Sequence, residues 1–140
     1  MILVRGEEYV RRDIHRAFGG GVQRGISVSA TNPVILLFVG LNGARYGYNN
    51  EVSQDGRIAF VGEGRYGDML MAGGNKALLN AAADGRTVHL FMQTGIGRVR
   101  YEGAARVLGH RAARSPDGRG VMRRTIVFEL QLTNRRSPRS

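Results

Sequence analysis

The residues of this chain that could carry chemistry concentrate in one stretch, residues 46–68, which reads YGYNNEVSQDGRIAFVGEGRYGD. It combines tyrosine and phenylalanine rings, an acidic and amide cluster, and a glycine-dense turn with arginine. Flat rings stack on a planar base, a carboxylate accepts from an exocyclic amine, and glycine lets backbone approach a phosphate closely. Together these residue types indicate contact with nucleic acid, so the remaining elements are expected to position this stretch.

Composition supports a polyanionic partner. The 140 residues carry a net charge of +10, which favours nucleic acid first and an anionic membrane surface second. Cysteine is absent, which excludes disulfides, thiolate catalysis and cysteine-ligated zinc. No apolar run approaches the ~20 residues of a membrane span, and charged residues follow the short apolar start too soon for a signal peptide. We therefore expect a soluble intracellular protein of one domain, over residues 1–133, with a basic tail at 134–140.

Hydrophobic periodicity predicts two helices. Residues 7–18 carry apolar side chains at helical spacing and end at three glycines, and residues 73–83 show the same spacing, with Asn75 as the expected cap. The continuous apolar run 33–39 predicts a buried strand, and residues 57–61 predict another after the Asp55–Gly56 turn.

Further strands are expected over residues 87–92, 97–108 and 121–132, with a short one within 22–30. Residues 113–120 contain Ser-Pro-Asp-Gly, a strong turn signal. The sum is an α+β, mainly β fold: a small curled sheet of five or six mostly antiparallel strands with two helices.

The segment Gly62–Gly67 matches GxGxxG, but a dinucleotide site needs a helix that begins at the motif inside a parallel βαβ unit. Here a further loop intervenes, so a glycine turn that brings Arg65 to a phosphate is favoured. His15, His89 and His110 lack metal-ligand spacing, and no nucleophile–base cluster is evident. Catalysis and a cofactor are therefore not expected.

The aromatic side chains divide into two groups by their surroundings. The phenylalanines on apolar faces are expected in the core, whereas Tyr46, Tyr48 and Tyr66 lie in polar, glycine-rich sequence where packing within a loop and stacking on a base are both open. Gln23 and Arg24, flanked by glycines, form a loop tip that is ordinarily solvated and that can insert into a groove.

Taken together, these segments resemble the SRA (SET- and RING-associated) domain, a reader of modified cytosine, in the short bacterial form of McrA-like restriction proteins. The resemblance covers most of the chain and depends on the order and spacing of several degenerate motifs. These motifs are Pro33–Phe38, Tyr46-Gly-Tyr-Asn-Asn50, Gly62-Glu-Gly-Arg65 with Gly67-Asp68, Asn75-Lys-Ala-Leu78, Arg98-Val-Arg-Tyr-Glu-Gly103 and Val121–Leu132.

The resemblance implies a PUA-like curled β-barrel that flips a methylated cytosine out of duplex DNA. By position, Tyr48 and Phe60 would stack on the two faces of the base, and Glu51 would accept from its N4 amine. Asn50 and Asp55 are rival acceptors, because Glu51 is one methylene longer than the family's aspartate. Val61 stands in the pocket where the family has threonine.

The resemblance also implies contacts outside the pocket. Gln23 and Arg24 would fill the gap left in the duplex, while Gly47, Gly64 and Arg65 would lie by the phosphates; Lys76 is a further candidate for a phosphate. The segment between Asp68 and Asn75 is much shorter than in eukaryotic members, which predicts little dependence on flanking sequence and weak discrimination of hemimethylated from fully methylated sites.

The expected function is therefore a non-catalytic module that binds 5-methylcytosine in double-stranded DNA. It would act in the bacterial cytoplasm at the nucleoid, with a nuclease domain or protein as a further partner. Three alternatives remain open: a PUA-like RNA-binding module, an enzyme on a nucleotide with Glu51 or Asp55 as general base, and a basic assembly protein without a base pocket.

Overall fold

The computed structural model describes residues 1–22, 24–40 and 52–133. The strands and helices alternate irregularly along the chain. In order they are β1 (Glu8–Val10), α1 (Arg11–Phe18), β2 (Ile26–Val28), β3 (Val34–Val39), β4 (Arg57–Val61), α2 (Gly73–Leu79), β5 (Thr87–Gly95), β6 (Arg98–Pro116) and β7 (Met122–Leu132).

The described strands form one sheet of seven strands in the order β2-β3-β5-β6-β7-β4, with β1 paired to the start of β6. Every pair is antiparallel except β3–β5, which is parallel. Register shifts between Leu90 and Phe91 on β5 and between Val107 and Gly109 on β6 mark bulges, which increase twist and bend the strands. The expected architecture, a curled and mainly antiparallel sheet with two helices, is confirmed, with one strand more than the five or six predicted.

Each face of the sheet buries its own apolar cluster. The larger cluster contains Ile26, Phe60 and Phe128 and is covered by Leu78 of α2. The smaller cluster contains Phe38 and Phe91 on the opposite face and is covered by Ile14 of α1. β3 is buried along its whole length because its alternate side chains supply both clusters, which explains its continuous apolar sequence.

Several predicted boundaries were wrong. The helix expected over residues 7–18 begins only at Arg11, because Glu8–Val10 pair with Arg98–Arg100 of β6 instead. β6 runs to Pro116, so the loop expected over 113–120 is the tight turn 117–121. The second helix ends at Leu79 rather than Ala83.

The glycine turn, residues 62–69, lies along the edge of β7. β4 pairs with Val127–Gln131 of β7, and where β4 ends the chain stays alongside β7, with Gly62 N donating to Ile126 O at 2.7 Å and Met69 N to Arg124 O at 2.9 Å. The turn is thereby held between β7 and α2.

Candidate nucleic-acid interface

Asn75 holds the glycine turn against α2. Its side chain is 1 % exposed; Oδ1 accepts from Glu63 N at 2.8 Å, and Nδ2 donates to Glu63 O at 2.9 Å and to Leu70 O at 3.0 Å. A Cβ built on Gly62 would lie 2.6 Å from Asn75 Oδ1, so glycine is required there for the two segments to meet. Asn75 is therefore not the helix cap that the sequence predicted: it is a buried bridge, and the N-cap is Ala72.

The same contact places the Glu63 carboxylate above the start of α2. A Cβ built on Gly74 would overlap Glu63 Oε1 and lie 2.8 Å from its Cδ, so the carboxylate occupies the space that a side chain at position 74 would need. Glu63 is half-buried, and Nη1 of Arg24 lies 3.9 Å from its Oε2. At that distance a half-exposed ion pair is weak, which leaves the carboxylate able to accept from another donor.

A cavity of about 330 Å³ opens beside Glu63. This volume lies at the lower end of the range for small-ligand pockets. Aliphatic side chains supply its apolar lining, and glycine backbone and the charged side chains of Arg24 and Glu63 supply its polar lining. It is lined by Gly21, Arg24, Ile26, Val28, Glu63, Gly73, Gly74 and Ala77.

Arg24, a predicted duplex-insertion residue, lies at the rim of this cavity with 70 % of its side chain exposed. Its carbonyl accepts from Arg11 Nη2 at 2.7 Å, which ties the loop after α1 to the helix. The structure therefore brings Arg24 and the glycine turn together, although the two are about forty positions apart in the chain.

Phe60 and Val61 do not share one surface. Phe60 is 5 % exposed and packs in the larger core cluster, while Val61 is half-buried and, as the next residue of β4, points to the opposite face of the sheet. A single pocket can therefore use the side chain of only one of them. A base that stacks on Phe60 would have to reach a ring that is covered in this structure.

Asp55 lies in the turn before β4, roughly 16 Å along the strand from the glycine turn. Its carboxylate accepts from the hydroxyl of Ser53 and from Arg57 N at 3.4 Å, and Arg57 Nε lies 3.8 Å away. The Ser53 hydroxyl, followed by these contacts to Arg57, lowers the Asp55 pKa below its ordinary value. Asp55 therefore stabilises its own turn and is remote from the cavity.

Gly64, Arg65 and Lys76 are all solvent-exposed. Gly64 has φ of +142°, a conformation that favours glycine, and a Cβ there would lie 3.1 Å from Met69 Cγ. Lys76 is exposed on α2, and Arg65 follows Gly64 at the outer bend of the turn. The remaining predicted contacts, Gln23, Gly47, Tyr48, Asn50 and Glu51, lie outside the described residues.

His89 packs against aromatic side chains of the sheet and of α1. Its Nδ1 lies 2.7 Å from the hydroxyl of Tyr101, and Phe18 packs on the other side of its ring. Burial lowers the pKa of His89 and raises the pKa of Tyr101 to about 12, so both are neutral at pH 7. Within residues 1–22, 24–40 and 52–133, no cluster of three or more acidic and histidine side chains is arranged to hold a metal ion.

The roles of two residues of this region were not predicted from the sequence: Glu63 was expected only as part of the glycine turn, and Asn75 as a helix cap. Glu63 stands between two glycines and Asn75 follows two glycines, and an acid or amide so flanked is a signal that could have identified both.

None of the helices in the described part of the chain has the length and apolar character needed to cross a membrane.

Comparison with solved structures relates this fold to proteins that bind modified DNA. The chain aligns over 94 % of its length with the sulfur binding domain and SRA domain of ScoMcrA complexed with phosphorothioated DNA, at 25 % identity and a TM-score of 0.75. It aligns over 99 % of its length with the type IV phosphorothioation-dependent restriction endonuclease ScoMcrA, at 23 % identity and a TM-score of 0.77. The chain spans only 40 % and 26 % of those two structures.

A third similar structure is the SUVH5 SRA domain in complex with methylated CHH DNA. It shows 18 % identity and a TM-score of 0.68, with 96 % of this chain and 92 % of that chain covered. No curated protein matches the sequence at a significant level. The family model described as "ScoMcrA-like, SRA domain" matches residues 5–139. With nearly the whole chain inside that match and the curled sheet of the same architecture, this protein belongs to the ScoMcrA-like SRA domain family.

Proposed function

We propose that this chain is a non-catalytic module that reads 5-methylcytosine in duplex DNA by taking the base out of the stack. Extrusion costs a few kcal/mol, which stacking and edge hydrogen bonds in a pocket must offset. The observation that carries the proposal is the cavity beside Glu63, where an apolar floor, glycine backbone and a carboxylate converge in a chain of net charge +10. A methylated cytosine presents a flat apolar body and an amine donor, and so matches this lining.

The Glu63 carboxylate is a hydrogen-bond acceptor that lines the cavity, and hydrogen bonds to Asn75 hold its backbone in place. Glu63 is bonded through both backbone groups to buried Asn75, so its backbone is fixed before binding, which lowers the ordering cost of using its carboxylate. We propose that Glu63 accepts from the N4 amine, alone or with Glu51. A carboxylate rejects thymine, because its O4 would leave two acceptors facing each other.

The stacking and insertion roles complete the proposal. Tyr48 and Phe60 are the proposed stacking rings, worth roughly 1–3 kcal/mol per base for each base–aromatic contact. Gln23 and Arg24 would fill the vacated position in the duplex. The position of Arg24 on the rim of the cavity supports this, since the inserting residue must lie beside the pocket that takes the base.

Phosphorothioate recognition is the second candidate, because two ScoMcrA structures are described by that modification. One of them, however, has a sulfur binding domain named separately from its SRA domain. The described cavity also presents a carboxylate, which would repel a thiophosphate anion. Base recognition therefore fits the lining better than backbone sulfur does.

The deciding experiment titrates the chain against duplexes of one sequence that are unmodified, 5-methylated at one cytosine, or phosphorothioated at one linkage, and against single-stranded RNA of the same sequence. The methylated duplex is expected to bind tightest. A 2-aminopurine next to the methylcytosine should brighten on binding, because extrusion unstacks it. Equal affinities, or a preference for the phosphorothioate, would overturn methylcytosine reading, and tighter binding to single-stranded RNA would favour the RNA-binding alternative.

The cellular role follows from the same proposal. Because the chain spans less than half of the ScoMcrA structures, we propose that such a module directs a nuclease part, in the same polypeptide or a partner, to modified sites in the bacterial nucleoid.

A further inference from the structure

The tip of the β6–β7 hairpin forms a basic surface next to the glycine turn. Beyond the last pair with β4, the two strands continue as a ribbon, and the turn packs along it, with Gly118 N donating to Arg65 O at 2.8 Å. The ribbon tip surface is defined here as Arg65, Tyr66, Arg114, Arg119 and Arg124.

Tyr66 lies between two arginines on this surface. The guanidinium carbon of Arg119 is 4.5 Å and that of Arg65 is 5.3 Å from the centre of its ring, and the tyrosine is 48 % exposed. A Cβ on Gly118 would lie 3.0 Å from Tyr66 Cε1, so glycine lets the ring lie against the ribbon. A guanidinium stacked on a ring keeps its N–H edges available for a ligand.

Arg114 and Arg124 are direct cross-strand neighbours, an arrangement that is destabilising for like charges. One carboxylate accompanies them: Asp68 Oδ1 accepts from Arg124 N at 2.7 Å, and Oδ2 lies 3.6 Å from Arg124 Nη2. The two arginines and Asp68 line an open cavity of about 340 Å³ with Ala112 and Ala113. The four arginines of the ribbon tip surface are thus accompanied by one exposed acid, Asp68, and the excess of positive charge favours a further anion.

The surface stands on a rigid base. Asp117 is 7 % exposed, and its carboxylate accepts from the backbone N–H groups of Gly67, Arg119 and Val121 at 3.2, 2.8 and 3.0 Å. The buried Arg123 donates to Gly67 O at 2.8 Å. The turn and the ribbon are therefore joined before any ligand arrives, which lowers the ordering cost of binding.

We propose that the ribbon tip surface binds the phosphodiester backbone of DNA, as a second contact region beside the cavity that takes the base. This inference rests on the proposed function in one respect only, that the partner is DNA. Its contacts are to phosphates, which occur in modified and unmodified duplexes alike, so they add affinity and leave the preference for the modification unchanged.

The test compares the native chain with the double variant Arg114→Gln/Arg119→Gln. Within the described residues neither side chain forms an ion pair at 4 Å or less, and Arg114 lies only near enough to Asp68 to help the backbone N–H of Arg124 lower its pKa. The fold should therefore be retained, which a thermal melt checks. The control is Arg12→Gln/Arg16→Gln, which removes the same charge from α1 on the other face of the sheet. Affinities for the methylated and unmodified duplexes are measured at several salt concentrations.

The ribbon variant should weaken binding to both duplexes by the same factor. Its slope of log affinity against log salt should be shallower by about 2, since each phosphate contact contributes about 0.9. A slope equal to that of the native chain or of the control variant would overturn the proposal, as would a loss confined to the methylated duplex. If the native chain binds the two duplexes equally, recognition of methylcytosine is overturned, and the proposal for the ribbon tip surface is still tested by the salt slope. A native chain that binds neither duplex would overturn both proposals.

Discussion

The side chain of Asn75 forms hydrogen bonds with both backbone groups of Glu63: its Oδ1 accepts from the N–H at 2.8 Å, and its Nδ2 donates to the carbonyl at 2.9 Å. A third bond, to Leu70 O, closes the far end of the same loop. After β4 ends, the backbone groups of Glu63 are therefore paired with the Asn75 side chain instead of with a neighbouring strand.

Asn75→Ala is predicted to release the glycine turn. Three buried hydrogen bonds at about 1 kcal/mol each imply a fall of about 3 kcal/mol in the free energy of unfolding, measured in urea. The preference for methylated DNA should fall further than the affinity for unmodified DNA. Asn80→Ala, after the end of the same helix, is the control and should change neither. An Asn75→Ala chain with native stability would contradict the described bonds.

Gly74→Ala is predicted to damage the cavity and spare the fold. The new Cβ would displace the Glu63 carboxylate and would lie 3.1 Å from Ile26 Cγ2, which must shift by a few tenths of an ångström. Alanine favours the helix by up to about 1 kcal/mol, which offsets this tight contact. Methyl preference, measured by fluorescence anisotropy, should therefore be lost without a fall in melting temperature. Gly109→Ala has no atom within 4 Å of its new Cβ and provides the matched control. Retained preference in Gly74→Ala would separate Glu63 from recognition.

Two substitutions are needed to test the role of Phe60, because its ring packs in the core and is also proposed to stack on the flipped base. Phe60→Ala should cost about 3–5 kcal/mol of unfolding free energy, which confounds any binding result. Phe60→Leu keeps apolar volume and should leave the chain folded, so a selective loss of affinity for methylated DNA would support stacking. If Phe60→Leu binds both duplexes like the native chain, Phe60 serves the core alone.

Asp117 is predicted to make the stability of the ribbon tip depend on acidity. Hydrogen bonds from the backbone of Gly67, and then of Arg119, lower its pKa in the folded chain. The unfolded chain, where an aspartate titrates near about 4, therefore takes up the proton first, and the stabilisation present above that pH is lost as the pH falls through the lower folded pKa.

Asp117→Asn removes this titration. The gap in melting temperature between native and variant chains should be widest near pH 7 and should narrow as the pH drops below about 4. Asp84→Asn, which changes an exposed acid after α2 and away from the ribbon, is the comparison. A gap that stays constant across this range would show that the carboxylate charge contributes nothing.

The sequence predicted the elements whose signal is local. β3 could be recognised because an unbroken apolar run is typical of a strand buried on both faces, and β4 because a turn signal precedes alternating residues. β1 could not, since residues 8–10 become a strand only through pairing with residues 90 positions later. The end of β6 was missed for the same reason, because its partner strand sets where it stops.

The candidate site divides in the same way. Arg24, Gly64 and Arg65 were predicted as DNA contacts from glycine-flanked sequence and resemblance, and these roles remain predictions. The structure does bring Arg24 and the glycine turn together at one cavity. The glycines on either side of Glu63 could have marked it as a candidate, but the position of its carboxylate against α2 could not be foreseen. The burial of Phe60 could not be foreseen either, because it follows from how α2 packs over the sheet. The family resemblance could transfer positions but not the packing around them.

Every described cavity residue precedes position 78, yet β4, which leads into the glycine turn, pairs with residues 127–131 and with no other strand of the described residues. The cavity can consequently be completed only after β7 has been synthesised. A chain truncated before β7 would contain all of these side chains without the partner strand of β4, so fusions and fragments should be designed to retain β7 as well as the residues that line the cavity.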